Sequence, residues 1–289
     1  MINLILLTFG ERLENHYQAV FSILTYLKDP LIKRVIVVTD RREFYTWLQN
    51  EIEIIEINQT VLNEWQGAHQ FFWRVKIKAL EAVQQKYPQE NLLYVDSDTF
   101  LAGELSAMQA QLSQGVPFMH KAEWALNAQK DKTLKKMHRT LCGKTVADIR
   151  LTDQTTMWNA GVIALPADKA EAMIALTLQA CDEMCATDSP KRLLEQFAFS
   201  VALNHLGSLQ PCDKIIGHYW GNKIEWNQSI AEFLLNAQLT GRSVTQCVES
   251  LREFDWSKLP LTKKQRSTNE KLKGLIDKFF RPKNISYFS

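Results

Sequence analysis

Two aspartates directly after an apolar run constrain this chain more than any other feature. Residues 92–95 read Leu-Leu-Tyr-Val, the composition of a buried strand, and Asp96 and Asp98 follow with Ser97 between them. Burying an unpaired carboxylate is costly, so this strand is expected to end in a cleft where the two side chains hold a divalent cation. Mg²⁺ and Mn²⁺ prefer carboxylate oxygens and keep coordination positions open for substrate phosphates. The alternative is a strand followed by an acidic turn, because Asp and Ser are common turn residues.

Strand and helix patterns alternate along the first third of the chain. Apolar runs at 2–8 and 34–39 flank an amphipathic stretch at 12–28. This alternation predicts an α/β fold: a mainly parallel, Rossmann-like sheet with right-handed crossovers, flanked by helices. In such sheets ligands bind beyond the carboxyl ends of the strands, where Thr8, Asp40 and the Asp-x-Asp pair should lie.

Composition and charge exclude several classes of protein. The formal net charge of +2 over 289 residues gives no support for a nucleic-acid partner. Five scattered cysteines argue against a disulfide framework and favour buried thiols in a reducing compartment. The N-terminus lacks the basic region of a signal peptide, and no segment approaches the roughly 20 apolar residues of a spanning helix. We therefore expect a cytoplasmic location.

A basic and aromatic helical pattern at 68–86 leads into the Asp-x-Asp strand. Arg74 and Lys78 share one face because they are four residues apart, whereas Lys76 projects elsewhere and ranks lower as a candidate. The two cations are expected either to form a lip above substrate phosphates or to lie on a solvated surface.

A polar break at Asn159-Ala160-Gly161 interrupts a strand-like run. Glycine in a strand often marks a bulge or the close approach of a ligand, and asparagine offers a donor and an acceptor to a sugar hydroxyl. Residues 121–144 are polar and basic without a clear core pattern. They are predicted to form a lid over the site or a surface insertion.

Three short motifs, in this order, resemble those of the GT-A glycosyltransferases. The resemblance is greatest to the retaining, nucleotide-sugar-dependent group that includes glycogenin and the bacterial lipooligosaccharide galactosyltransferases (glycosyltransferase family 8). The motifs are Leu-Tyr-Val-Asp-Ser-Asp at 93–98, Trp-Asn-Ala-Gly-Val at 158–162 and His-Tyr-Trp-Gly-Asn-Lys at 218–223. The resemblance implies a GT-A domain over residues 1–226, followed by a helical C-terminal extension over 227–289.

The resemblance also implies residue roles around the donor diphosphate. Asp96 and Asp98 would bind Mn²⁺ or Mg²⁺ bridging the diphosphate, with His218 as the third protein ligand. Gly221 and Lys223 would contact the diphosphate itself. In this register the Pro of the usual Lys-Pro-Trp is missing, since the chain reads Lys-Ile-Glu-Trp at 223–226.

The donor sugar has its own implied residues. Asn159 and Gly161 would line the sugar pocket, and Glu195-Gln196 resembles an Asp-Gln pair that the family places beneath the sugar ring. The candidates for catalysis are Gln196, which would stabilise the cationic transition state, Glu195 and Asn159. The candidates for binding the donor are Thr8, Asp40, Arg74, Lys78, Ser97, Gly161, Gly221 and Lys223.

The chain after Trp256 is rich in lysine and arginine. Apolar residues recur at helical spacing among these cations; they are Leu272, Leu275, Ile276, Phe279 and Phe280. A basic amphipathic helix of this kind can lie on an anionic membrane surface. The alternative is a terminal helix packed on the domain with its cations solvated.

These features together predict a metal-dependent glycosyltransferase. It would move a hexose from a nucleotide diphosphate sugar, with a uridine diphosphate (UDP) hexose as the expected donor, to a glycan or glycolipid acceptor with retention, as in bacterial cell-envelope polysaccharide synthesis. One alternative is a sugar-nucleotide nucleotidyltransferase, although residues 9–12 read Phe-Gly-Glu-Arg where a glycine-rich phosphate loop would be expected. The other is a non-catalytic nucleotide-sugar-binding protein.

Overall fold

The computed structural model describes residues 1–128, 130–263 and 267–280. In chain order the strands are β1 (Ile2–Thr8), β2 (Ile32–Thr39), β3 (Glu53–Glu56), β4 (Asn91–Val95), β5 (Thr99–Leu101), β6 (Phe118–Met119), β7 (Ala122–Ala125), β8 (Thr145–Val146), β9 (Ile149–Arg150), β10 (Thr156–Trp158), β11 (Val162–Leu165), β12 (Gln210–Pro211) and β13 (Ile216–His218). The α-helices are α1 (Leu13–Tyr26), α2 (Gln59–Trp65), α3 (Arg74–Lys86), α4 (Ser106–Leu112), α5 (Lys132–Leu141), α6 (Ala170–Cys185), α7 (Leu194–Leu206), α8 (Lys223–Leu239), α9 (Val244–Ser250) and α10 (Ser267–Phe279).

A central sheet has the strand order β12-β6-β11-β4-β1-β2-β3. The pairs β4–β1, β1–β2, β2–β3 and β12–β6 are parallel, whereas β11 runs antiparallel to β4 and to β6. The predicted α/β class with a mainly parallel, Rossmann-like sheet is confirmed, and the arrangement is consistent with the GT-A expectation. Because β11 begins where β4 ends, its first residues lie at the same edge of the sheet as the Asp-x-Asp pair.

Helices cover both faces of this sheet because its strands are apolar on both sides. In β1, Leu4 and Leu6 pack with α1, α8 and α9, while Ile5 packs on the other face with α3, α6 and α7. Alternating side chains point to opposite faces of a strand, so a continuous apolar run has to be covered twice. The two helical layers leave the strand ends at the sheet edge as the place for a ligand.

Residues 121–128 and 130–144 contain more regular secondary structure than their composition indicates. They form β7, a 3₁₀ turn and α5, whose N-cap Asp131 accepts a hydrogen bond from the backbone of Leu134 at 2.9 Å. Leu134, Met137 and Leu141 are buried at helical spacing. The prediction that this segment has no core pattern is therefore wrong.

The C-terminal region continues the fold without a break. Helix α8 begins at Lys223, packs against α1 and buries Trp226 and Ile230 in the same core as β1. The boundary expected at residue 226 therefore falls inside α8, and the division into two domains stays a prediction. In the part of the chain that the structure describes, no helix combines the length and apolarity needed to span a membrane.

The prediction of buried free thiols holds for four of the five cysteines. All five belong to the described residues and are free thiols, and Cys181, Cys185, Cys212 and Cys247 are buried. The fifth, Cys142, is half-buried and lies at the end of α5.

Candidate functional site

The strand pairing brings two distant motifs together. Asp96 leaves β4 at the carboxyl edge of the sheet, and β5 follows at once. Strand β13 pairs antiparallel with β5 in a register that sets His218 opposite Thr99. The backbone N–H of Tyr219 then donates to the carbonyl of Asp98 at 3.1 Å. This short β-ribbon is the physical reason why a late histidine reaches two early aspartates.

Asp96, Asp98 and His218 form a cluster of possible metal ligands. One ligand atom from each lies within 4.8 Å of the others, and Nε2 of His218 lies 3.4 Å from Oδ1 of Asp98. On the other side of the ring, Nδ1 lies 3.2 Å from Oδ1 of Asn159, an oxygen that also accepts the N–H of Gly161 at 3.0 Å. A carboxamide oxygen can only accept, so in the neutral ring Nδ1 carries the proton. In that neutral form the lone pair on Nε2 faces the aspartates, whereas in the charged ring the Nε2 proton faces Asp98.

The cluster fits a hard divalent cation such as Mn²⁺ or Mg²⁺. Two carboxylates and one imidazole provide the donor atoms, and the Asn159 bond fixes the tautomer and orientation of His218, as partners of metal-bound histidines commonly do. Gly161 is required for this geometry, since a β-carbon built there would overlap the imidazole ring. The strand break in the second motif thus makes room for a side chain of the third.

Lys223 adds a positive charge beside Asp98. Its Nζ lies 2.9 Å from Oδ2 of Asp98, and the lysine is half exposed whereas the aspartate is buried. Burial alone would raise the pKa of Asp98, but the hydrogen bonds and charges of His218 and Lys223 together hold that pKa well below its usual range. Asp98 is therefore a carboxylate at neutral pH, as a metal ligand must be.

Lys76 lies at the centre of the site, although its position on the helix gave it a low rank. Its Nζ is 3.3 Å from Oδ1 of Asp96, 3.1 Å from Oε1 of Glu195 and 3.2 Å from the carbonyl oxygen of Ala160. It also lies 5.0 Å from the centre of the Tyr94 ring. Lys76 thus ties the Asp-x-Asp strand to helix α7 and to the loop before β11.

Burial and ion pairing together set the pKa values of Lys76 and Glu195. Burial alone would lower the pKa of Lys76, but the carboxylates of Asp96 and Glu195 outweigh it and raise that pKa. Burial raises the pKa of Glu195, and the charge of Lys76 opposes the increase. The ammonium group is therefore the counter-charge of the buried Glu195, and it also lies beside Asp96.

Glu123 is a second residue that the sequence did not single out. One of its carboxylate oxygens accepts from Nδ2 of Asn159 at 3.0 Å, and the other accepts from Nε2 of Gln196 at 3.0 Å. Oε1 of Gln196 accepts the N–H of Ala160 at 3.3 Å. Glu123 thus fixes the side-chain amides of Asn159 and Gln196, both predicted to lie beside the donor sugar. In the sequence, only its place as an isolated acidic residue within β7 could have pointed to it.

A cavity of about 180 Å³ opens above these groups. Asp96, Asp98 and Lys223 line its polar end. An aromatic rim lies elsewhere on its wall, formed by Phe9, Phe72 and Trp73. The ring centres of Phe9 and Phe72 are 4.8 Å apart, and those of Phe72 and Trp73 are 5.3 Å apart. The cavity therefore joins a charged end, with the candidate metal ligands, to flat apolar faces.

Three of the predicted donor-binding residues lie at the carboxyl edge of the sheet. Thr8 lines the cavity and its hydroxyl is 2.7 Å from the hydroxyl of Tyr45. Ser97 also lines it and donates to the side chain of Gln18 at 3.2 Å. Asp40 accepts from the backbone N–H of Gly10 at 3.0 Å, which supports the turn after β1. Their contacts with a donor stay predictions.

Arg74 and Lys78 have other partners. The Arg74 guanidinium forms a bidentate pair with Asp182, with distances of 2.7 and 3.0 Å, and Lys78 pairs with Glu81. Neither cation lines the cavity described above, and their role as a phosphate lip stays a prediction.

Gly221 is covered by the chain that follows α9. Its carbonyl accepts from the N–H of Lys263 at 3.1 Å, and it forms a bridge with Thr262. The carbonyl of Pro260 accepts from Nδ2 of Asn222 at 2.9 Å and from Nε1 of Trp226 at 3.2 Å. We call residues 260–263 the strap, because they hold the loop that carries Lys223.

Comparisons with known proteins give little beyond this geometry. No protein-family model matches the chain. No curated protein matches it either. Among solved structures it is similar to the crystal structure of galactosyltransferase LgtC in complex with donor and acceptor sugar analogues, with 12% identity over 73% of each chain and a TM-score of 0.48. Similarity at this level decides neither family nor function, which have to be inferred from the side chains of the site.

Proposed function

We propose that this protein is a metal-dependent glycosyltransferase of the GT-A type that transfers a hexose from a nucleotide diphosphate sugar, with a UDP-hexose as the preferred donor. The supporting observation is the convergence of Asp96, Asp98 and His218 beside Lys223, at the mouth of a cavity at the carboxyl edge of a parallel sheet. Three motifs that are distant in sequence form one charged site, which a structural acidic turn would not require.

The charged end of the cavity would hold the donor diphosphate. Asp96, Asp98 and His218 would hold Mn²⁺ or Mg²⁺, which when bound neutralises charge on the leaving diphosphate as a Lewis acid. Lys223 would exchange its contact with Asp98 for a phosphate oxygen and add fixed positive charge there. The aromatic rim would bind the flat nucleobase by stacking.

The amide end of the site would act on the sugar. Glu123 holds the carboxamides of Asn159 and Gln196 in fixed positions, and preorganised dipoles lose no energy to reorientation during reaction. The Gln196 carbonyl oxygen would stabilise positive charge on the sugar ring, and Glu195 would act through its ion pair with Lys76. We also propose retention, as the resemblance in the sequence implies, with the leaving diphosphate accepting the proton of the acceptor hydroxyl.

The acceptor would approach through a second, open cavity of about 600 Å³. Glu123 lies in its wall, together with Trp124, Arg192 and the half-exposed Trp220. Apolar faces combined with a few orienting polar groups are typical of small-molecule sites. We propose a glycan or glycolipid acceptor there, because Glu123 links this cavity to the donor-side amides.

Helix α10 supports a lipid-linked acceptor. Its apolar residues and the one that follows are exposed rather than packed: Leu272 59%, Leu275 56%, Ile276 49%, Phe279 77% and Phe280 78%. Lys273 and Lys278 on the same helix are exposed as well. We propose that this helix lies on an anionic membrane surface. The cytoplasmic face of a bacterial membrane, where cell-envelope polysaccharides are built, would suit it.

Thermal unfolding with UDP and Mn²⁺, added separately and together, tests the donor site. A ligand present at about 100 times its Kd stabilises the native state by roughly 2.7 kcal/mol, and we expect this increase only with both additions. Asp98→Asn should remove it, whereas Asp188→Asn, at an exposed aspartate, should not. Equal stabilisation of both variants would reject the metal assignment.

Turnover assays distinguish the alternatives. A panel of nucleotide sugars should give donor hydrolysis or transfer with at least one hexose donor. Pyrophosphate release from a nucleoside triphosphate and a hexose 1-phosphate would favour the nucleotidyltransferase. Metal-dependent binding without any turnover would favour the non-catalytic binding protein.

A further inference from the structure

A second group of metal-ligating side chains lies away from the donor site. Nε2 of His138 is 2.7 Å from Oδ1 of Asp153, and Sγ of Cys142 is 3.3 Å from the same oxygen. One ligand atom from each of the three residues lies within 4.8 Å of the others. A histidine, a cysteine and an aspartate therefore converge on one point at the protein surface.

The backbone holds these three residues in place without a ligand. His138 and Cys142 are one helical turn apart at the end of α5, with the N–H of Cys142 donating to the carbonyl of His138 at 2.9 Å. The carbonyl of Asp153 accepts from the N–H of Asn127 at 3.2 Å. The connection between them is closed by the β8–β9 hairpin. Helix α5 thus fixes the positions of His138 and Cys142, and a turn joined to the backbone of Asn127 holds Asp153.

We propose that His138, Cys142 and Asp153 bind Zn²⁺, with water as a fourth ligand. Zinc forms bonds of about 2.0–2.3 Å to imidazole nitrogen, thiolate sulfur and carboxylate oxygen, usually in a tetrahedral arrangement. The ion would lie between the three donor atoms and replace their present hydrogen bonds. Coordination converts the Cys142 thiol to a thiolate and releases its proton to solvent.

The donor set distinguishes this site from the Asp96, Asp98 and His218 cluster. A thiolate favours soft or borderline metals such as Zn²⁺, whereas carboxylate-rich sites suit Mg²⁺ and Mn²⁺. Nothing in the proposed transfer reaction requires the second ion. Its effect would be structural, because it ties α5, which contributes Asp131 and Leu134 to the acceptor-side cavity, to the segment before β10.

Metal titration of the Asp98→Asn variant tests the proposal without interference from the donor site. We expect one Zn²⁺ per chain and, with Co²⁺ as a probe, a thiolate-to-cobalt charge-transfer band together with the visible bands of tetrahedral coordination. Adding Cys142→Ser or His138→Gln to this background should remove the charge-transfer band or the tetrahedral bands, respectively. Loss of an outer partner weakens metal sites about 10–100-fold, so loss of a ligand should weaken Zn²⁺ binding at least about tenfold.

A matched control uses the other cysteines on one helix face. Cys181→Ser with Cys185→Ser removes two buried thiols of α6 and should leave both signals unchanged. Circular dichroism of each variant confirms that the fold is retained. Absence of a charge-transfer band in the parent, or its persistence after Cys142→Ser, would overturn the proposal.

Discussion

Lys76→Met removes the ammonium group that lies between Asp96 and Glu195. The side chain is only 7% exposed and that of Glu195 only 9%, so water cannot replace the lost counter-charge. Removing one partner of a buried ion pair typically costs about 3–5 kcal/mol. Methionine has a similar length, which keeps the loss of packing small.

Proton uptake by Glu195 limits the stability that Lys76→Met loses at neutral pH. An isolated Glu195 can become neutral, and protonating a carboxyl of ordinary pKa at pH 7 costs roughly 3.5 kcal/mol, at about 1.36 kcal/mol per pKa unit. Asp96 is a third exposed and still accepts a hydrogen bond from the hydroxyl of Tyr94 at 2.8 Å. It therefore adds little to the loss of stability. We therefore expect a loss of about 3 kcal/mol in the free energy of unfolding.

Thermal unfolding measures this loss directly. An unfolding entropy of about 2.1 cal/mol/K per residue over 289 residues amounts to about 0.6 kcal/mol/K, so the expected fall in Tm is about 5 °C. Lys78→Met is the matched control, because it breaks a partly exposed pair with Glu81 on the same helix. Such pairs contribute about 0–1 kcal/mol, equivalent to a fall of less than about 2 °C.

Two further measurements separate the charge effect from packing. In Lys76→Met the folded pKa of Glu195 lies above its unfolded value, so the folded state gains a proton and its relative stability falls as pH rises. The stability that Lys76→Met loses relative to the parent protein should therefore be smaller at pH 5 than at pH 7. Adding Glu195→Gln should recover at least half of the lost stability. A Lys76→Met protein as stable as Lys78→Met, or no recovery in the double variant, would refute the reasoning.

Three other predictions concern the walls of the site. Gly161→Ala should abolish the Mn²⁺-dependent stabilisation by UDP, because its β-carbon overlaps His218, whereas Gly274→Ala, which faces open space, should not; an unchanged Mn²⁺ response would contradict this. Glu123→Gln should lower kcat roughly tenfold, the equivalent of one lost hydrogen bond, with Mn²⁺–UDP binding unchanged; a parallel loss of binding would count against it. Truncation after Lys263 should abolish binding to anionic liposomes and leave UDP binding intact, whereas truncation after Trp256 should also impair UDP binding, because it removes the strap; liposome binding by the first truncated protein would exclude α10 as the membrane contact.

The predictable parts of the fold are those encoded in consecutive residues. The apolar runs of β1, β2 and β4 indicate buried strands directly, and the parallel sheet follows from their alternation with helices. The prediction that residues 121–144 lack a core pattern fails because cations surround the three buried positions of α5. In so polar a stretch the apolar periodicity is weak. The cations are solvated on the outer face, so the core residues alone decide the helix.

Partners that meet through tertiary structure were the harder part of the site. Helical spacing shows that Arg74 and Lys76 project to different faces, but not which face meets the aspartates. That depends on where α6 brings Asp182 and where α7 brings Glu195. Glu123 was missed for the same reason, since its amide partners lie in the loop between β10 and β11 and in α7, which meet it only in the folded chain. The Asp-x-Asp pair could be predicted because consecutive residues, an apolar run followed by two aspartates, are enough to identify it.

The strap has a consequence for synthesis of the protein. A nascent chain exposes Asp96 and Asp98 early, yet the loop with Lys223 gains its support from Pro260, Thr262 and Lys263 only after these residues leave the ribosome. Until then, the loop that carries Lys223 lacks the backbone partners that hold it in the folded structure. The order of translation therefore delays assembly of the complete site until residues 260–263 have been made and released.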